Sequence, residues 1–266
     1  MNINLKKIYC DVDPDFPNHH PDPTVDSNLS DLIKLVKKEK CDFGIGYDGD
    51  ADRIVAVDEQ GSIIRSDILI ALFLEDILEA GDFVVYDVKC SKALEETILK
   101  FLGKPIMWKT GHSHIKNKMI ETNAKIGGEM SGHIFFSDKY FGYDDGIYVS
   151  LRLAELISNK KTNLSTLVKK IPKYVSTPEI RVDCNSDQEK REIVTKAVDF
   201  FKNNYDCDLI DGARIQFDHG WGLIRQSNTQ PVIVFRFEAE SSSSLKEIQS
   251  IVFNKLNEFG DINVKL

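Results

Sequence analysis

The chain has 266 residues, 42% of them hydrophobic and 29% charged, a balance that suits a globular protein long enough for two or three domains. Its 42 acidic and 34 basic residues leave a net charge of -8. Such a chain repels nucleic-acid phosphates and anionic membranes overall, so neither is expected as a partner and any phosphate binding must be local.

Met1–Lys7 carries no apolar signal core, and the longest apolar run, around Ile68–Leu74, is broken by Glu75 and Asp76 before it could span a bilayer. Four of the eight prolines crowd into Pro14–Pro23, which predicts a surface loop because proline removes an amide donor and restricts its neighbour. An amphipathic helix follows, with Leu29, Leu32, Ile33 and Val36 on one face and Ser27 or Asn28 placed to cap it. A strand at Asp42–Tyr47, a tight acidic loop and a second strand at Ile54–Asp58 come next.

From Ser66 the pattern alternates. Ile68–Ala80 reads as a helix stopped by Gly81, Phe83–Val88 as a buried strand, Ala93–Leu102 as a helix ending at Gly103, and Ile106–Trp108 as a short strand. Such alternation argues for a parallel α/β layer. Asp145–Ser158 reads as a helix with Ile147, Leu151, Ala154 and Ile157 or Leu153 on its buried side. After Pro172 the character changes to a strand at Glu179–Val182, a helix at Gln188–Asn203, β-like runs at Leu209–Phe217, Trp221–Arg225 and Val232–Glu238, and a last helix over Leu245–Phe259. The serines of Ser241–Ser244 fit a helix start. The seams fall near Ser62 and Pro172, giving domains at 1–62, 63–172 and 173–266. The five cysteines (Cys10, Cys41, Cys90, Cys184, Cys207) are widely spaced with no C-x-x-C, which reads as free thiols in a reducing cytoplasm.

Four motifs carry chemistry. Asp48-Gly-Asp50-Ala-Asp52-Arg53 puts three carboxylates at spacing two in a loop between strands, where they can converge on a hard cation such as Mg²⁺. Arg53 beside them can orient a phosphate or sugar oxygen. A calcium-loop reading fails because Arg53 stands where glycine is needed and the flanks are strands. A phosphatase reading with Asp48 as nucleophile lacks a Thr or Ser in Arg53–Val57. The second motif, Gly127-Gly-Glu129-Met-Ser131-Gly-His133, offers hydrogen bonds to sugar hydroxyls on a backbone that can be closely approached. The third is Lys109-Thr-Gly-His112, with Lys89 after a strand and before a helix, where α/β sites cluster. The fourth, Arg225-Gln-Ser227-Asn228-Thr229-Gln-Pro231, lies between two strands and forms an anion cradle. Taken alone, the first, second and fourth also read as ordinary polar turns, and the Lys and His of the third as surface residues.

In this order the four closely resemble the α-D-phosphohexomutases. Phe16–Pro23, Asp87–Ser91, Phe141–Tyr148, Ser176–Ile180 and Gly220–Pro231 extend the likeness along nearly the whole chain. The resemblance implies a four-domain enzyme with one active-site loop per domain, Mg²⁺ on Asp48, Asp50 and Asp52, and acid/base or phosphate roles for Arg53, His112 and His133. It implies substrate contacts from Lys89, sugar reading by Glu129 and Ser131, and a grip on the non-reacting phosphate by Arg225, Ser227, Asn228 and Thr229. Hexose 1- and 6-phosphates would interconvert through a bisphosphate intermediate, with a phosphoserine as donor.

No Thr-Ala-Ser-His-Asn-Pro type of run, the family's phosphoserine loop, occurs in these 266 residues. The expectation is a C-terminal portion whose donor, and an N-terminal mutase segment that would partner a strand near Ile8–Asp11, lie elsewhere. The expected fold is the end of one α/β domain, a complete three-layer α/β domain with a mixed sheet, and a C-terminal α+β domain with an antiparallel sheet. The alternative is a catalytically inactive module that binds hexose phosphate.

Overall fold

A computed structural model describes residues 3–227 and 230–260. The chain falls into two compact units. One is Met1–Met107 with Gly111–Pro172, the other Lys173–Leu266 with Trp108–Thr110. Among the described residues no helix is long and apolar enough to cross a membrane.

The first unit begins with an irregular stretch. Ile8–Asp11, expected as a strand, joins no sheet, because no described residue offers it a ladder partner. A 3₁₀ turn at Asp26–Leu29 feeds α1 (Ser30–Glu39), which Lys40 stops in the left-handed conformation. Then come β1 (Phe43–Tyr47), β2 (Ile54–Asp58) and β3 (Ile63–Ile64), an antiparallel sheet in the order β1-β2-β3. Pairing of Tyr47 with Ile54 makes residues 48–53 the hairpin connection, so strand register alone folds the acidic run back on itself. Gly44 and Gly46 let α1 lie directly on β1. A Cβ at Gly44 would stand 2.5 Å from Val36 Cγ2, and one at Gly46 2.7 Å from Leu29 Cδ2.

The α/β layer follows: α2 (Ser66–Ile77), β4 (Phe83–Asp87), α3 (Lys92–Lys100), β5 (Lys104–Trp108), α4 (His112–Thr122), β6 (Ile126–Gly128), β7 (Ile134–Phe136), α5 (Gly146–Lys160) and α6 (Leu164–Val168). Helix α2 is apolar on every side, and all of Leu69–Leu74 is buried, as such a helix requires. The sheet order is β5-β4-β6-β7, with β4 and β6 parallel but β6 and β7 antiparallel. It is therefore mixed, as expected of the family, and the purely parallel layer suggested by the alternation does not form. The sequence reading also missed that Glu129–His133 is a hairpin loop between β6 and β7, since both strands are only three residues long.

The buried face of α5 differs from expectation. Ile147 and Leu151 are 56% and 49% exposed, and Val149, Leu153 and Leu156 point inward. The helix start fixes this rotation. Asp145 caps it by accepting the Tyr148 N–H, and Gly146 sits so tightly on the acidic loop that a Cβ would lie 2.8 Å from the Ala51 carbonyl.

The second unit holds β8 (Val175–Ser176), β9 (Ile180–Asp183), α7 (Asp187–Asn204), β10 (Cys207–Asp208), β11 (Ala213–Phe217), β12 (Gly220–Gln226), β13 (Val232–Ala239) and α8 (Ser242–Asn257). Its sheet runs β10-β11-β12-β13-β8, with β9 also on β13, and every pairing is antiparallel. The apolar faces of α7 (Ile193, Ala197, Phe201) and α8 (Ile248, Val252, Phe253) share a core with Ile215, Ile224, Ile233, Phe235 and Phe237. Ser241 caps α8 by accepting the Ser244 N–H, so the serine run is a helix start.

Gly44→Val should overfill the α1–β1 contact and lower the unfolding free energy by about 1–3 kcal/mol in denaturant titrations.

Candidate active site

The connection between β1 and β2 is closed from within. Asp48, 8% exposed, accepts the Arg53 backbone N–H at 3.1 Å on Oδ1 and the Arg53 Nε–H at 2.6 Å on Oδ2. Ala51 turns the chain at φ 60°. This geometry brings carboxylate oxygens of Asp48, Asp50 and Asp52 within 4.8 Å of one another. Burial works to raise the Asp48 pKa, but the two bonds and the charge from Arg53 outweigh it and hold this carboxyl below its usual range. Asp52 goes the other way. Burial, then the proximity of Asp48 and the charges of Asp50 and Asp144, push it up to about 7. Its Oδ1 is buried without a hydrogen-bond partner. Crowded carboxylates with an orphaned oxygen form a donor set that fits a hard divalent cation.

The hairpin loop of β6 and β7 is laced to this acidic loop by main-chain contacts. The Ile54 N–H donates to Gly132 O at 3.1 Å, and Arg53 and His133 form an isolated bridge. Gly132 adopts φ 118°, and a Cβ there would stand 3.0 Å from Arg53 Cβ and 3.1 Å from Ile54 N. The imidazole of His133 is thereby set beside the acids, with Nδ1 3.0 Å from Asp144 Oδ2 and 3.6 Å from Asp52 Oδ2. Neither contact is an aligned hydrogen bond. Burial lowers the His133 pKa to about 4. The Asp144 charge opposes this, while Arg53 and His112 add to it. The ring is therefore neutral at pH 7, with Nδ1 bearing no hydrogen bond. His112, the first residue of α4, is half-exposed, its ring 5.7 Å from that of His133.

Asp144 is the residue the sequence reading missed. It is 10% exposed, accepts Lys116 Nζ at 3.0 Å, and lies 3.8 Å from His112 Nδ1, so it faces both histidines. Its pKa is lowered, because the Lys116 bond and the charges of Lys116 and His133 outweigh burial. A signal was present in Asp144-Asp145: a helix start uses one acid as its cap, here Asp145, and leaves the other free to point elsewhere.

The remaining first-unit residues sit around the same loops. Glu129 is buried, and its carboxylate accepts the Gly111 N–H, holding the turn that precedes His112. Its carbonyl accepts the Ser66 hydroxyl. Ser131 is half-buried at the hairpin tip. Lys89 is 5% exposed with Nζ 3.8 Å from Asp87 Oδ2, and Asp87 accepts the Met130 N–H at 3.1 Å. Arg53 keeps its charge more firmly than a free arginine, since the Asp48 bond outweighs the burial that opposes it. That suits a fixed cation better than a proton donor.

Arg225 and Ser227 belong to the second unit, at the end of β12 and in the turn after it. Both are buried, and Arg225 Nε donates to Asp211 Oδ2 at 3.0 Å. Asn228 and Thr229 lie outside the described residues.

Three family descriptions match the chain: phosphoglucomutase/phosphomannomutase alpha/beta/alpha domain II over residues 1–61, domain III over 65–174, and the C-terminal domain over 179–255. The chain is 43% identical over 258 residues to a phosphomannomutase/phosphoglucomutase of Pseudomonas aeruginosa, covering 96% of this chain and 56% of that protein. It therefore spans little more than half the length of such relatives. A phosphoglucomutase/phosphomannomutase family protein of Burkholderia thailandensis superposes with a TM-score of 0.88 at 38% identity, covering 97% of this chain and 56% of that one. An Aspergillus fumigatus N-acetylphosphoglucosamine mutase, solved with GlcNAc-6P and magnesium, gives a TM-score of 0.61 at 18% identity, covering 86% of this chain and 53% of that one, a likeness of fold alone.

Gly132→Ala should strain the contact between the two loops and lower the unfolding free energy by roughly 1–3 kcal/mol, measured by chemical denaturation.

Proposed function

The chain belongs to the phosphoglucomutase/phosphomannomutase family, and we propose that it supplies metal, sugar and phosphate recognition to a mutase interconverting hexose 1- and 6-phosphates through a bisphosphate intermediate. The observation that carries this is the convergence of Asp48, Asp50 and Asp52, with an orphaned Asp52 oxygen, beside a neutral buried histidine. On this reading residues 1–62, 63–172 and 173–266 act as three domains, and phosphoryl donation falls to a phosphoserine outside these residues.

Asp48, Asp50 and Asp52 would hold Mg²⁺, which when bound would supply positive charge opposite the transferring phosphoryl group. Arg53 adds a fixed positive charge to the same end of the site. His133, kept neutral by burial and faced by Asp144, takes the proton from the attacking sugar hydroxyl, with His112 as the second acid/base group. Lys89 meets the substrate near its reacting end, and Glu129 and Ser131 read its hydroxyls. In the second unit Arg225, Ser227, Asn228 and Thr229 hold the phosphate that does not react, so that either end of the sugar can be presented.

The chain by itself should give no turnover of glucose 1-phosphate to glucose 6-phosphate, even with glucose 1,6-bisphosphate added. Measurable turnover in a coupled assay would overturn the placing of the donor elsewhere. Glucose 6-phosphate should nevertheless bind weakly by calorimetry, and Arg225→Ala should weaken it roughly tenfold or more, as loss of a charged hydrogen bond implies. Mg²⁺ should bind weakly too, since three carboxylates alone would leave much of its shell to water, and Asp52→Asn should abolish what binding there is. An Asp52→Asn chain that binds Mg²⁺ as the parent does would refute the metal assignment.

A further inference from the structure

In the second unit a buried ammonium stands under the loop that joins β12 to β13. Lys190 lies in the first turn of α7 and is 6% exposed, where lysine is seldom found. Its place is not explained by the helix, since a cation in the first turn opposes the helix dipole. Its Nζ donates to Ser227 O and Gln230 O, each at 2.9 Å, and to Asp187 Oδ1 at 2.6 Å. Those two carbonyls bracket residues 228 and 229, so one side chain fixes both shoulders of the loop. An ammonium has three N–H donors and all three are engaged, which leaves none for a ligand.

Other bonds hold the same loop. The Ser227 N–H donates to Val232 O, the Val232 N–H to Gln230 O, and Arg181 reaches the Gln230 side chain. Lys190 alone among these bonds both shoulders through one atom. Beside it opens a cavity of about 230 Å³ lined by Asp187, Lys190, Arg191, Gln226 and Ser227. Removal of the ammonium would take away the one donor that Ser227 O and Gln230 O share and loosen the tie between them.

We propose that Lys190 is a positioning residue, whose ammonium holds Ser227 and Gln230 in place for phosphate binding beside Arg225 without touching the phosphate. The inference rests on the phosphate role given above to Arg225 and Ser227. Its effect is preorganisation, because a loop already held in its binding shape loses less freedom when an anion arrives.

The test titrates glucose 6-phosphate into the 266-residue chain and maps backbone amide exchange in the parent, Lys190→Met, Lys190→Gln, Lys190→Arg and Arg225→Ala. Lys190→Met and Lys190→Gln should weaken binding roughly tenfold. Exchange should quicken at Ser227 and Val232 while β11 and α8 keep their protection. Lys190→Arg, whose guanidinium can still donate to both carbonyls, should keep most of the affinity. Should the methionine variant fail to fold, the glutamine variant decides, since its amide still offers donors. Parental affinity in Lys190→Gln, alongside weakened binding in Arg225→Ala, overturns the role of Lys190 alone. Parental affinity in Arg225→Ala overturns the phosphate reading of the loop and this inference with it. Exchange raised evenly across the second unit makes Lys190 a general packing residue and overturns the inference as well.

Discussion

Carboxylate crowding is the constraint around which the first unit is arranged. Asp48, Asp50 and Asp52 bring oxygens within 4.8 Å of one another, and Asp144 closes the group on the side of His133. At an effective dielectric of about 20, two unit charges at that separation repel by roughly 3.5 kcal/mol. Three such pairs would strain a six-residue hairpin loop unless something offsets them. Arg53 satisfies Asp48 through backbone and side chain together, and Lys116 satisfies Asp144. Asp52 has only a looser contact, 3.9 Å from Arg53 Nε, with no hydrogen bond to its Oδ1, and burial and crowding raise its pKa to about 7. A divalent cation would replace its proton.

The second unit arranges its charges by other means. The chain carries a net charge of -8, so no broad positive field draws a phosphate in. Its cations at the β12–β13 turn are instead buried with fixed partners. Arg225 is steadied by Asp211, and Lys190 holds the carbonyls of the turn that follows. Such groups act over a few ångströms and through shape, which suits recognition of a small anion.

Strand and helix positions were legible wherever residues recur with a clear period. The strands at Asp42–Tyr47 and Ile54–Asp58 were read as flanking a tight acidic loop, and the structure pairs them as β1 and β2 around it. The antiparallel pairing of β7 was not legible, because three residues are too few to show a period. The face of α5 was misread for a different reason. Ile147 and Leu151 make a credible apolar stripe at spacing four, but the rotation is set by the fit of Gly146 against Ala51, a contact between residues far apart in sequence. Motif residues were singled out from spacing and family likeness, whereas Asp211 and Lys190 gave no such signal and Asp144 only the faint one of a doubled acid at a helix start. Each acts through another residue, and only the fold shows which one.

A common pattern explains which acids remain for chemistry. Asp58 accepts the N–H groups of Gln60 and Ser62, Asp67 those of Ile68 and Ser91, Asp87 that of Met130, Glu129 that of Gly111, and Asp145 that of Tyr148. Each of these carboxylates fixes the backbone of a turn, and four of the five lie in or next to a loop of the site. An acid bound to backbone amides is stabilised as an anion and resists giving that place up. The buried Oδ1 of Asp52 has no such donor. The fold thus puts one functional group to two uses: carboxylates that accept backbone amides shape the loops, and at Asp52 a buried oxygen is left without such a donor.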